Sequence, residues 1–475
     1  MNKVAKNTVY YSIGEIVPKI IGFIMLPIYT NVLSPSDYGI ISYTNTITSF
    51  LALFGTFCLN TYLLRFYFIH NDENERRRML GTINLSIISM NCLIILLGFL
   101  IMPGVINKYD IQIPWNPFFR LALINNFLHC MTTVPSVIYR VRQDAMRFMF
   151  LGVSRTVLVV LLTVYLLVYK KVGVVGTFEA QFVVYLVYVV VYFLIIKKYA
   201  SFSFNIRFLK EGLRFSLPLL PGTLCYVLLH MSDRVILERN VGIDELGIYN
   251  VASTIALALN IVIQSGYKSF EPEFFKRYGK DDYFPYVVKV KNIFFFLIYL
   301  SALCICLFSQ ELFYYMTAKS FYAGYLLVPA IITGVLFSGQ NIIYQGILQG
   351  ERKTKVQGMA TMIGAFVNIV LNLIFIPFWG TFAAAFTSAI SIIIVNTILF
   401  IKMTFPNKKM HKEIILSVVM MVLVYGIFIM FPNVSIIGFV VKIICVCLFG
   451  YVTLRFYQVD IENIKILVLP KIHKK

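Results

Sequence analysis

The sequence predicts an all-α polytopic membrane protein of about fourteen transmembrane helices: two parallel six-helix lobes plus two C-terminal helices. Three observations predict it. Of the 475 residues, 59% are hydrophobic and only 13% are charged, with a mean hydropathy of +0.80, more apolar than a fold with a watery exterior requires. Runs of ~20 apolar residues, the length that crosses a hydrocarbon core, recur between short gaps marked by charge, proline or glycine. Segments of the first half then reappear in the second, in the same order.

The expected spans cover 10–32, 38–60, 79–102, 116–137, 148–168, 176–196, 215–236, 246–267, 293–309, 324–347, 356–377, 382–401, 414–430 and 436–454. The first follows Lys3 and Lys6 but holds Glu15 and Lys19 and no small-residue cleavage site, so it is expected to stay in the membrane as a span. Span 1 carries Pro18, Gly22 and Pro27, and span 7 carries Pro218, Pro221 and Gly222; an interior proline removes a backbone hydrogen bond and bends the helix. A gating bend and a static kink both remain open. Trp115 and Trp379 fall at outward span ends, where an amphipathic ring settles. All eight cysteines lie in apolar runs and read as packing residues.

A net charge of +20 raises the question of nucleic acid, and its distribution answers it. With the N-terminus in the cytoplasm, 32 of the 42 Lys and Arg fall on that side, while the opposite loops hold only Lys108, Lys170, Lys171, Arg239 and Lys319. This positive-inside bias places both termini in the cytoplasm. Basic clusters such as Arg76-Arg77-Arg78 and Lys408-Lys409 then read as topology signals that meet anionic membrane lipids, with no nucleic-acid partner.

The repeat pairs Gly176-Thr177-Phe178 with Gly380-Thr381-Phe382, Tyr139 with Tyr344, and Asn31-Val32 followed by Gly39-Ile40 with Asn240-Val241 followed by Gly247-Ile248. Six spans separate matched points, so the halves share one orientation and are related by a pseudo-twofold along the membrane normal. This divides the chain into an N-lobe at 1–200, a C-lobe at 201–410, and two additional helices with a cytoplasmic tail at 411–475.

Two segments carry a family resemblance. Gly22-Phe23, then Leu26-Pro27-Ile28-Tyr29-Thr30-Asn31-Val32-Leu33-Ser34-Pro35-Ser36-Asp37-Tyr38-Gly39, and Ser232-Asp233-Arg234-Val235-Ile236-Leu237 followed by Leu246-Gly247-Ile248-Tyr249-Asn250, resemble signatures of the polysaccharide-repeat-unit flippases of the multidrug/oligosaccharidyl-lipid/polysaccharide exporter superfamily. The resemblance implies a MATE-like flippase fold in a bacterial cell membrane. It also implies an undecaprenyl-pyrophosphate-linked oligosaccharide as substrate, moved to the outer leaflet by alternating access of two lobes.

A charge at the bilayer centre costs ~2.5–3.5 kcal/mol on insertion scales, so it must face protein, water or ligand. The basic residues within spans are Lys19, Arg120, Arg155, Arg234 and Lys442, and the acids are Glu15, Glu179 and Asp233. A pyrophosphate needs fixed positive charge, which makes Lys19 the first candidate, followed by Arg234, Arg155 and Arg120. Lys19 also stands four residues from Glu15, so an ion pair along the helix is its other reading. Asp233 and Arg234, adjacent in sequence, point about 100 degrees apart and need not pair; Arg120 reads as snorkelling, Arg155 as part of a cytoplasmic rim with Arg140, Arg142 and Arg147. Glu15, Asp233 and Glu179 are the candidates for proton or sodium coupling, with no other cofactor expected.

A multidrug exporter of the same superfamily would favour acids in its cavity, whereas bases outnumber acids here; a peptidoglycan-precursor flippase is a nearer alternative. A membrane polysaccharide polymerase or ligase needs catalytic groups gathered on a sizeable outward loop, and the outward loops are short and lack histidine. No Walker-type glycine loop occurs. A polysaccharide polymerase is an expected partner, and a polymerase or ligase activity stays the alternative of another class.

Overall fold

A computed structural model describes residues 3–70, 72–404 and 411–459, and every regular element among them is helical. Lys408-Lys409 and the basic tail beyond residue 459 lie outside the described residues. Spatial clustering divides the chain into two units, 1–247 and 248–475.

The first unit begins with α1 (Lys3–Ile24) and α2 (Leu26–Val32), which meet at a 40° bend. The bend falls where Pro27 enters the first turn of α2 and removes a donor from the ladder. Next come α3 (Pro35–Thr56) and α4 (Leu59–Phe66), bent by 46° through Phe57 and Cys58, both at positive φ. The unit continues with α5 (Glu73–Tyr109), α6 (Arg120–Cys130), α7 (Thr133–Val141), α8 (Ala145–Val164) and α9 (Val175–Tyr199). It closes with α10 (Ile206–Ser216), α11 (Leu220–Asn240) and the start of α12 (Ile243–Ala256).

The signature around Ser34 has a physical explanation. The hydroxyl of Ser34 accepts from the Asp37 amide (3.2 Å), and the Ser34 amide donates to the Asp37 carboxylate (2.9 Å), a reciprocal cap with Pro35 in the first turn. The signature glycines follow from backbone proximity: a Cβ on Gly39 would lie 2.0 Å from the Ile243 carbonyl oxygen, and one on Gly247 would lie 1.8 Å from that of Pro35. Only a missing side chain lets α3 and α12 approach so closely.

One expectation needs correction here. The stretch between spans 6 and 7, expected as a loop, contains the helix α10, capped by Asn205. Its apolar face packs on α4 and α5 through Phe208 and Gly212. Helices α10 and α11 pack on α3, α4 and α5, so the compact unit that ends at residue 247 includes the seventh span.

The second unit contains α13 (Leu259–Lys276), α14 (Tyr283–Leu307), the short α15 (Ser309–Met316), α16 (Val328–Gly350), α17 (Thr354–Lys402), α18 (His411–Met430) and α19 (Ile436–Phe456). The last two, expected outside the repeat, pack on α14 and α16.

Among the described residues, eleven helices are long and apolar enough to cross a membrane, or thirteen when each bent pair counts as one span, beside the roughly fourteen expected. The difference falls at α17, where two spans were expected. Its 49 residues would extend about 74 Å at ~1.5 Å per residue, over twice the ~30 Å hydrocarbon thickness. Gly380, at φ 56° and ψ −133°, breaks it, a conformation that needs glycine.

Candidate functional site

Lys19 sits on α1, about 24 Å from Lys3 and about 20 Å from Val32 at ~1.5 Å per residue, far from both ends of the first span. Helix α1 packs on α8 along one side, where Gly14 brings the backbones together: a Cβ there would stand 3.1 Å from the Met149 Cα. A second side exposes Ile13, Ile20 and Ile24. A third exposes Glu15, Lys19 and Gly22, and nothing would meet a Cβ on Gly22 within 4 Å.

The angles separate these faces. At 100° per residue, Ile13, Ile20 and Ile24 fall within about 40° of one another, and Glu15, Lys19 and Gly22 within about 60°, with about 150° between the two groups. The isoleucine face suits lipid. The charged face does not, because an ammonium facing hydrocarbon would carry the insertion cost without compensation. Lys19 has no hydrogen-bond or ion-pair partner among the described residues. The expected alternative, a pair with Glu15, is therefore not formed in this structure.

The other candidates are distributed. Arg155 lies within α8; its guanidinium donates to the Tyr192 hydroxyl (3.4 Å) and stands over the Tyr185 ring at 5.7 Å, so it faces α9 rather than extending a rim. Of the expected rim, Arg142 pairs with Glu73 (3.3 Å) and Arg147 with Asp144 (3.0 Å). Arg234 and Asp233 do meet, at 3.8 Å, with Arg234 also donating to the His230 carbonyl at 2.9 Å; a long guanidinium folds back along its own helix, closing the angle that separates adjacent Cβ atoms. Arg120 is exposed at the start of α6, and Glu179 is half-buried in α9. Neither has an ion pair among the described residues. The structure thus gathers Arg234 with Asp233 but leaves Lys19, Arg120, Arg155 and Glu179 on separate helices of the first unit.

Sequence reasoning placed Lys442 within a span but missed its acidic partner, Glu311. Lys442 on α19 is 1% exposed, and its ammonium donates to both Glu311 carboxylate oxygens (2.6 and 2.8 Å) and to the Gln310 amide oxygen (2.9 Å). The Gln310 amide nitrogen donates in turn to the carbonyls of Phe431 and Pro432. Every donor of the ammonium is used, as a buried cation requires. Glu311 escaped notice because it lies two residues beyond an expected span, on α15. Its usable signal was the unmatched Lys442 itself.

Among the described residues no cluster of three or more His, Cys, Asp or Glu has metal-binding geometry. The C-terminal end of α13 carries an ion-pair group instead: Arg277 bridges Glu273 (2.9 Å) and Asp282. The hydrogen bond from Arg277 holds the Glu273 carboxyl below the usual carboxylate range.

The chain matches the family described as polysaccharide biosynthesis protein over residues 4–272, and the MatE family over residues 218–374. It is 23% identical over 283 residues to a protein of the Lsg locus of Haemophilus influenzae, a match covering 58% of this chain and 66%, just under two thirds, of that protein. Its fold resembles the lipid II flippase MurJ in an inward closed conformation, with a TM-score of 0.72 at 15% identity over 95% of this chain and 99% of that one. It also resembles an inward-facing multidrug resistance MATE family transporter of the MOP superfamily, with a TM-score of 0.64 at 14% identity over 83% and 96%. The match over more than half of the sequence, on an all-helical scaffold of apolar spans, makes the chain a member of the polysaccharide biosynthesis protein family, a multi-pass membrane protein with a MATE-like fold.

Proposed function

We propose that this protein moves undecaprenyl-pyrophosphate-linked oligosaccharide repeat units from the cytoplasmic to the outer leaflet of a bacterial cell membrane for surface polysaccharide assembly. One observation carries the reading: Lys19 presents an unneutralised ammonium midway along a membrane-spanning helix, on a face about 150° from the lipid-suited one. A drug exporter for amphipathic cations gains nothing from that charge, whereas a pyrophosphate is held by it. In this reading Lys19 binds the pyrophosphate, Arg234 and Arg155 serve the same cationic path, and the bend after Ile24 lets the outer part of span 1 move as lobes alternate. Glu15, one turn before Lys19, takes up the coupling proton or sodium, and both termini stay in the cytoplasm beside a polymerase that uses the delivered unit.

The test is reconstitution of the full chain in proteoliposomes with purified lipid-linked oligosaccharide, scoring its arrival in the opposite leaflet. Arrival that depends on Lys19 supports the reading. No arrival above protein-free vesicles, or equal arrival with Lys19→Ala, overturns it.

A further inference from the structure

Within the first unit, α3, α6 and α9 line an open cavity of about 280 Å³ with polar and apolar walls. Its wall carries Asn45 and Ser49 from α3, Asn125 and Asn126 from α6, and Gln181 and Tyr185 from α9. We infer that this cavity is a subsite for one uncharged pyranose ring of the transported glycan. The inference rests on the flippase reading above and assigns a part of the substrate to a place that Lys19 does not occupy.

Four observations support it. First, Asn125 is 4% exposed, and its amide nitrogen donates to the Phe178 carbonyl (2.9 Å), but its Oδ1 has no hydrogen-bond partner. A buried amide oxygen left unmatched costs ~1–3 kcal/mol, so this wall of the cavity is short of a hydrogen-bond donor. Second, beside Ala52, Ala122 and Phe178 the lining carries amides and hydroxyls, each able to give or take a hydrogen bond, a mixture that matches a ring with hydroxyl edges and C–H faces.

Third, the charge excludes the obvious alternative of a monovalent cation. No carboxylate lines the cavity, and the Arg155 guanidinium stands 5.7 Å from the Tyr185 ring that forms its wall, which sets a positive charge beside it. Fourth, about 280 Å³ is room on the scale of one sugar ring with its hydroxyls. Tyr185, held against the His129 ring at 5.6 Å, supplies a flat apolar surface for the ring's C–H face.

The pattern was present in the sequence without being noticed. Positions 45, 48, 49 and 52, then 122, 125, 126 and 129, then 178, 181 and 185, each follow the three-and-four spacing of one helix face.

The test uses the full-length protein in nanodiscs and saturation-transfer NMR with methyl glycosides of a neutral hexose and an N-acetylhexosamine at millimolar concentration, with a hexuronate as charged comparator. Wild type transfers saturation to the neutral glycosides. Gln181→Leu combined with Asn126→Leu, neither residue making a backbone hydrogen bond through its side chain among the described residues, lowers that transfer roughly tenfold, since two hydrogen bonds are lost. An unchanged melting temperature shows that the variant has folded. No transfer in wild type, or equal transfer in the variant, overturns the subsite. Lipid-linked oligosaccharide flipped by wild type and variant at equal rates also removes the subsite while leaving the flippase reading intact; glycoside binding without any flipping does the reverse.

Discussion

Two lysines lie inside membrane spans of this protein, and the chain treats them in opposite ways. Lys442 in the second unit is sealed at 1% exposure, with Glu311 and Gln310 filling its hydrogen-bonding capacity. Lys19 in the first unit stands on an open helix face with no partner among the described residues. Both are apolar-run interruptions of the same kind in the sequence. The difference teaches that an intramembrane lysine left unneutralised by the fold keeps its charge available to a ligand. A fully paired ammonium is held in place and has little left to offer a ligand.

The sharpest way to break this contrast is to remove Lys442 alone. Lys442→Met strands the Glu311 carboxylate, and stability should fall by about 3–5 kcal/mol, read as an early melting transition in detergent. Adding Glu311→Leu should restore most of the loss, because no charge is then left buried. A harmless Lys442→Met would show that the buried pair is not structural.

Next in size is Lys19→Ala, expected to slow flipping roughly 10- to 100-fold, the ~1.5–3 kcal/mol of a charge-assisted hydrogen bond, while stability stays within ~0.5 kcal/mol of wild type. Lys19→Arg should keep part of the rate, since charge survives and geometry changes. A Lys19→Ala protein that loses stability as Lys442→Met does would erase the contrast.

A smaller, sharper test pairs Glu15→Gln with Lys19→Gln. If Lys19 serves a ligand, this neutral double variant should be as slow as Lys19→Ala; recovery of wild-type rate would make the two residues a structural pair after all.

The smallest effect belongs to a control, the Glu273, Arg277 and Asp282 group. Arg277→Ala should leave the melting transition unmoved at neutral pH, because solvent screens such pairs. The sign of its pH dependence is fixed: Glu273 is held below its ordinary pKa, so its contribution is present above the usual carboxylate range and disappears as pH falls through the depressed value. A melting curve of wild type against Arg277→Ala over acid pH checks this direction.

Much of the fold was legible because composition and helix-length runs are local properties, and the repeated Gly-Thr-Phe motifs needed only self-comparison. The signature Ser34-Pro35-Ser36-Asp37 could be read as a helix start, and the structure makes it a reciprocal cap. What could not be read was pairing across distance. Hydropathy placed Glu311 outside a span and so could not match it to Lys442, 131 residues later. The cavity has the same cause, since Asn45, Asn125 and Gln181 each look like a tolerated interhelical amide until three helices converge. Arg155 was misjudged from its place near a helix end, when the tyrosines of α9 decide where it points.

The bridge between α15 and α19 also has a consequence for biogenesis. Glu311 leaves the ribosome 131 residues before Lys442, which at roughly 5–20 residues per second is a delay on the order of ten seconds. Throughout that interval the second unit holds a carboxylate awaiting its cation. The α15–α19 bridge therefore closes late in synthesis: a chain that stops before α19 leaves Glu311 without Lys442.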